Sequence, residues 1–180
     1  MGCVDLRHKL HRVVWQGSLA IFLVFACLTD VGAEGLSIAQ IKAAYVYNFC
    51  QLTTFPEPTQ LQPLTVWIAQ EPTEELMAAL MALQGRQVGS RRIEVVSGPR
   101  PSRLDVAYWD SENWQKSSCQ HIHELNDTVL TIGCSNGFFE CGGMIQLMQV
   151  DHAIRFRVNS ATLEHSRVHL SSRLLKHAIH

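Results

Sequence analysis

The residues of this 180-residue chain that could do chemistry are six cysteines, nine histidines and a run of arginines near the C-terminus. Cys134 and Cys141 stand close together but not as Cys-x-x-Cys, the spacing that lets a helix N-terminus lower the pKa of one thiol for redox catalysis. A structural disulfide is the better reading of the pair. Two histidine spacings, His121-x-His123 and His165-x3-His169, raise zinc, which needs three or four convergent ligands. Neither lies beside a second cluster with a matching pattern, so exposed histidines on a polar helix and a surface loop are expected, and no metal. Ser171 and Ser172 lack the strand-turn-helix context of a nucleophile and read as a helix cap. Gly133, Gly137, Gly142 and Gly143 do not form a phosphate-cradling fingerprint. The chain therefore offers no catalytic residue and no cofactor motif.

The arginines are a different matter. Arg155 and Arg157 lie two apart on an expected strand and so project from one face, and Arg167 with His169 repeat that spacing in the next extended piece. If the two faces adjoin, they form a basic patch for a small anion or an acidic partner. The plainer alternative is that they cover the solvent side of an edge hairpin, where charge discourages aggregation.

These residues need elements to position them. Ser37 as N-cap, with Ile38, Ile41, Ala44, Tyr45, Asn48 and Phe49 at helical spacing, predicts a helix that ends near Thr53-Thr54. Strands are expected at 64–69, 91–96, 104–109 and 128–132, and a hairpin over 143–158 turns at Asp151-His152. Helices are expected from Thr73 to Gly85, over 111–125 and 159–165, and after Ser171, with an extended piece at 167–170. Strands alternating with helices and then a terminal hairpin predict one α/β domain, a mixed sheet of about six strands flanked by helices, with at least one antiparallel edge. Hydrophobic residues make up 47% of the chain, ample for a core, and a formal net charge of −1 argues against wholesale nucleic-acid binding.

Residues 1–33 read as a secretory signal. Arg7, Lys9 and Arg12 precede an apolar run from Trp15 to Leu28 that ends in Val31-Gly32-Ala33, the small residues a signal peptidase reads. A retained membrane anchor, or lipidation at Cys27, is the alternative. Cleavage leaves residues 34–180 with Cys50, Cys119, Cys134 and Cys141, an even set in an oxidising compartment. The local pair Cys134–Cys141 is the easiest to close, with Cys50–Cys119 as the candidate second bond.

Four landmarks in order resemble the YfiR-like family of periplasmic regulators. They are Ile41-Lys42-Ala43-Ala44-Tyr45-Val46-Tyr47-Asn48-Phe49, the Cys134/Cys141 pair before Gly-Gly-Met-Ile, Arg155-Phe156-Arg157-Val158-Asn159, and Ser171-Ser172-Arg173-Leu174-Leu175. The resemblance implies a compact α/β domain and a non-enzymatic inhibitor. Its partner would be the periplasmic part of an inner-membrane diguanylate cyclase, with lower cyclic di-GMP and biofilm formation as the result. It also implies redox-sensitive disulfides and sequestration by an outer-membrane lipoprotein, while a homodimer stays open. A periplasmic small-ligand-binding or sensor domain, its pocket beside Arg155, Arg157, Arg167 and His169, is the second reading.

Overall fold

The centre of the chain is a parallel sheet whose strands are apolar on both faces. A computed structural model describes residues 35–56, 62–110, 117–151 and 153–179, so the expected signal segment lies outside the described residues. In chain order the elements are α1 (Ile38–Gln51), β1 (Thr53–Thr54), β2 (Leu64–Ile68), α2 (Glu74–Met81), β3 (Gln87–Val88), β4 (Arg91–Ser97) and β5 (Val106–Trp109). There follow α3 (Ser117–Leu125), β6 (Leu130–Gly133), α4 (Asn136–Glu140), β7 (Ile145–Val150), β8 (Ala153–Val158), α5 (Ser160–Glu164), β9 (His169–Leu170) and α6 (Ser172–Leu175).

Seven strands form one sheet in the order β3-β4-β2-β5-β6-β7-β8, and β1 pairs antiparallel with β9 in a separate two-stranded sheet. The five strands from β4 to β7 run parallel, and both edge strands, β3 and β8, are antiparallel to their neighbours. The expected mixed α/β domain is therefore present, with one strand more than predicted in the sheet. The extra one, β3, is too short to show an alternating pattern, and β1 falls where the sequence suggests only the end of α1. The hairpin pairs Val150 with Ala153, and Asp151 takes a φ of 47°, a left-handed conformation that aspartate tolerates.

Every residue of β2, β5 and β6 is buried, as a strand covered on both faces requires. Alternate side chains go to two cores. Val66, Ile68, Val106, Tyr108, Leu130 and Ile132 join Val46 and Phe49 of α1 and Leu76 and Leu80 of α2. On the other face Trp67, Ala107 and Trp109 meet Ile122 and Leu125 of α3 and Phe138 of α4. Phe138 is held in a slot between glycines: a Cβ on Gly133 would lie 2.4 Å from its ring, and one on Gly143 only 2.0 Å. No side chain fits at either position without displacing the ring.

Local signals set the helix starts. Ser37 and Gln40 form a reciprocal capping box on α1, Thr73 caps α2, and Ser171 caps α6. At the opposite end of the sheet from the helix α1 N-terminus, Arg91 and Asp105 form a buried ion pair at 2.5 Å that ties together the starts of β2, β4 and β5.

Candidate functional site

The cysteines separate according to the alternation of β6. Leu130 and Ile132 face the α1 side, so Cys134, two residues on, faces that side as well and packs against its core. Cys141, at the C-cap of α4, packs instead against the core under α3. The expected Cys134–Cys141 bond is thus not formed, because the sheet lies between the two sulfurs. Cys141 is bonded to Cys119 of α3, with Cα atoms 4.9 Å apart, well within disulfide reach. The expected Cys50–Cys119 bond is absent for the same reason: Cys50 is a free, fully buried thiol on α1, on the other face.

Cys134 is free and forms part of a polar cluster that the sequence does not reveal. Its Sγ lies 3.3 Å from the Tyr108 hydroxyl, which donates to Asp110 Oδ1 at 3.1 Å; the same carboxylate oxygen accepts from Lys42 Nζ at 2.7 Å. The tyrosine proton is given to Asp110, so it is the thiol that donates to the phenolic oxygen. The alternation of β5 brings Tyr108 to this face, Asp110 follows its last residue, and Lys42 comes from the first turns of α1. Lys42, Asp110 and Cys134 border a cavity of about 180 Å³ at the carboxyl ends of β5 and β6, together with Ile38, Leu147 and Ile154.

Burial, reinforced by the Asp110 carboxylate and opposed by Lys42, pushes the Cys134 thiol up to about 12. A thiol shifted in that direction is held in its protonated form at neutral pH. Burial, with Asp105 adding to it, pushes Cys50 up to about 12 as well, and burial with Cys134 and Asp110 raises Tyr108 well above its ordinary value. Burial acts to lower Lys42, but Cys134 and Asp110 outweigh it and the ammonium titrates above its usual range. The cluster joins α1 to the sheet and holds its protons tightly.

A stability prediction follows from those raised values. Below pH 9.0 both thiols are protonated whether the chain is folded or not; from there to about pH 12 the unfolded chain gives up protons that the folded one retains. The two thiols should make stability fall across that window, and Cys50→Ala should reduce the slope. Melting temperatures measured through the alkaline range check this, and a level profile there would refute it.

The four basic residues expected to converge have separate settings. Arg157 donates to Gln146 Oε1 at 2.7 Å, lies 3.9 Å over the Phe139 ring and is 3.6 Å from Glu140. Arg167 clamps Asp127, with its closest contact at 2.9 Å. His169 sits on β9 opposite Thr54. Arg155 is exposed on β8 and borders a groove with Arg173 and His177, neither of which stands out in the sequence as part of a site. Their signal was a pair of basic residues four apart across Leu174-Leu175, which the helix-cap reading of Ser171 absorbed.

His121 and His123 are exposed on α3, and His165 Nδ1 contacts Ala161 O at 3.0 Å. Among the described residues no group of three or more His, Cys, Asp or Glu side chains is placed to hold a metal ion, and no helix is long and apolar enough to cross a membrane.

A parallel-centred sheet with antiparallel edges, a disulfide on one face and two free thiols packed into the other define this α/β domain. The sequence profile of the YfiR/HmsC-like family matches residues 39–179, and the chain belongs to that family. The chain matches no curated protein.

Proposed function

We propose that this protein is a non-enzymatic periplasmic regulator that binds the periplasmic part of an inner-membrane diguanylate cyclase and holds it inactive, lowering cyclic di-GMP and biofilm formation. The observation that carries this reading is the family match, which runs from the second residue of α1 to the last described residue. The site chemistry is compatible with it: Cys134 is protonated, and the Lys42 ammonium is neutralised by Asp110. Residues 1–33 act in this scheme as a cleaved signal that delivers the domain to the periplasm, and an outer-membrane lipoprotein is the candidate for sequestering it. Of the basic residues singled out in the sequence, Arg155 and His169 are exposed and form no ion pair among the described residues, which leaves them for an acidic face of a partner or of a second copy.

Deleting the gene should raise cellular cyclic di-GMP, and restoring the exported chain should lower it again. The nucleotide is quantified in extracts while the cyclase is confirmed to be expressed. An unchanged level in the deletion strain would sink the inhibitor reading. Intact-mass measurement of the exported protein should give a chain starting at Glu34, and a mass that includes residues 1–33 or a lipid would exclude the delivery scheme.

A further inference from the structure

The groove beside Arg155 has a construction that its neighbours lack. Its volume is about 530 Å³, and it runs between the second half of α1, the middle of β8 and α6. Arg155, Arg173 and His177 stand along it, all three exposed, and among the described residues none of them has an ion-pair partner. No carboxylate of the described residues lines it. Beneath the cations the floor is apolar and well packed: Phe49, Phe156 and Leu174 are nearly fully buried in the core. Phe49 and Phe156 meet edge to face, with ring centroids 5.1 Å apart.

The walls are fixed to one another. Ser171 N donates to Leu52 O at 2.9 Å, joining the start of α6 to the end of α1, and Ile179 N donates to Phe156 O at 2.9 Å, joining the chain after α6 to β8. Tyr45 Oη, on the α1 wall, donates to Ile154 O at 2.9 Å and closes the third side. The cations are therefore carried on backbone that needs no rearrangement to receive a ligand, which lowers the ordering cost of binding. Two other arginines singled out in the sequence are, by contrast, paired with carboxylates: Arg157 with Glu140 and Arg167 with Asp127. Unopposed guanidiniums above an aromatic floor, in a space of small-ligand size, match an anion with an apolar body.

We infer that this groove binds small organic anions, with the ligand's carboxylate held by Arg155 and Arg173 beside His177 and its apolar part on Phe156 and Leu174. The inference does not depend on which enzyme the protein regulates. It gives a regulator of this fold an input site on the face opposite the disulfide.

Calorimetric titration of the purified protein with phenylacetate, with its neutral counterpart 2-phenylethanol and with inorganic phosphate tests it. Phenylacetate should bind at least about tenfold more tightly than the alcohol, because only the carboxylate engages the guanidiniums. Phosphate should bind more weakly than phenylacetate, since it leaves the apolar floor uncovered. Arg155→Gln and Arg173→Gln should each weaken phenylacetate about five- to tenfold while leaving the ligand-free melting temperature unchanged, as both side chains are exposed. Equal affinity for acid and alcohol, phosphate binding as tight as phenylacetate, no measurable binding of phenylacetate, or variants that bind it like the unmodified protein would each overturn the proposal.

Discussion

Asp105→Ala is expected to destabilise the fold by about 3–5 kcal/mol, a large share of the roughly 5–15 kcal/mol that holds a domain of this size together. Asp105 Oδ2 takes the Arg91 guanidinium at 2.5 Å and the Thr65 backbone N–H at 2.9 Å, and Arg91 also donates to Pro63 O at 2.7 Å and to Gln62 O at 3.1 Å. Both side chains are almost wholly withdrawn from water. Removing the carboxylate strands a buried positive charge and an unsatisfied amide at the point where β2, β4 and β5 begin. The cost comes from that stranded charge more than from the lost attraction. Arg91→Met combined with Asp105→Leu should therefore be less damaging than Asp105→Ala alone. Denaturant unfolding of the two variants measures the difference, and a double variant less stable than the single one would show that the ion pair itself is net stabilising.

Breaking the disulfide should have an effect of similar size. Cys119 and Cys141 are 22 residues apart, and closing a loop of that length stabilises by roughly 3 kcal/mol through the restricted unfolded chain. Cys119→Ser and Cys141→Ser should each lower the melting temperature by several degrees, and the double variant should be no worse than either, because one bond is lost in all three. Cys134→Ser should leave the bond intact and act separately, through the Tyr108 and Asp110 contacts. Alkylation of the unfolded, unreduced protein should label Cys50 and Cys134 and spare Cys119 and Cys141. Peptide mapping that joined Cys134 to Cys141 would reject this connectivity and return the pairing to the nearest neighbours in sequence.

Local interactions made much of this protein legible without coordinates. Ser37 with Gln40 three positions on, Thr73 before Glu74-Glu75, and Ser171 before Arg173-Leu174 mark three helix starts because a cap requires nothing beyond the next turn. The 143–158 hairpin was readable because two apolar runs flank a two-residue turn. The landmarks along α1, the cysteine-bearing loop, β8 and α6 carried the family. The second strand of a two-residue pairing, such as β3 or β1, left no such trace, since its partner alone defines it.

Tertiary structure decided everything that depends on which face a side chain reaches once the sheet is assembled. Sequence proximity favoured Cys134 with Cys141, yet the parity of β6 sends Cys134 toward α1, while α4 carries Cys141 over the opposite face to Cys119. Arg155 and Arg157 share a strand and a spacing, but β8 lies at an edge. One arginine is therefore captured by Phe139, Glu140 and Gln146, and the other is left at the groove with Arg173 and His177. Composition and periodicity report how a residue relates to its own element. Bond partners and binding surfaces depend on which elements become neighbours, and that is set by the crossing of the chain between the two faces of the sheet.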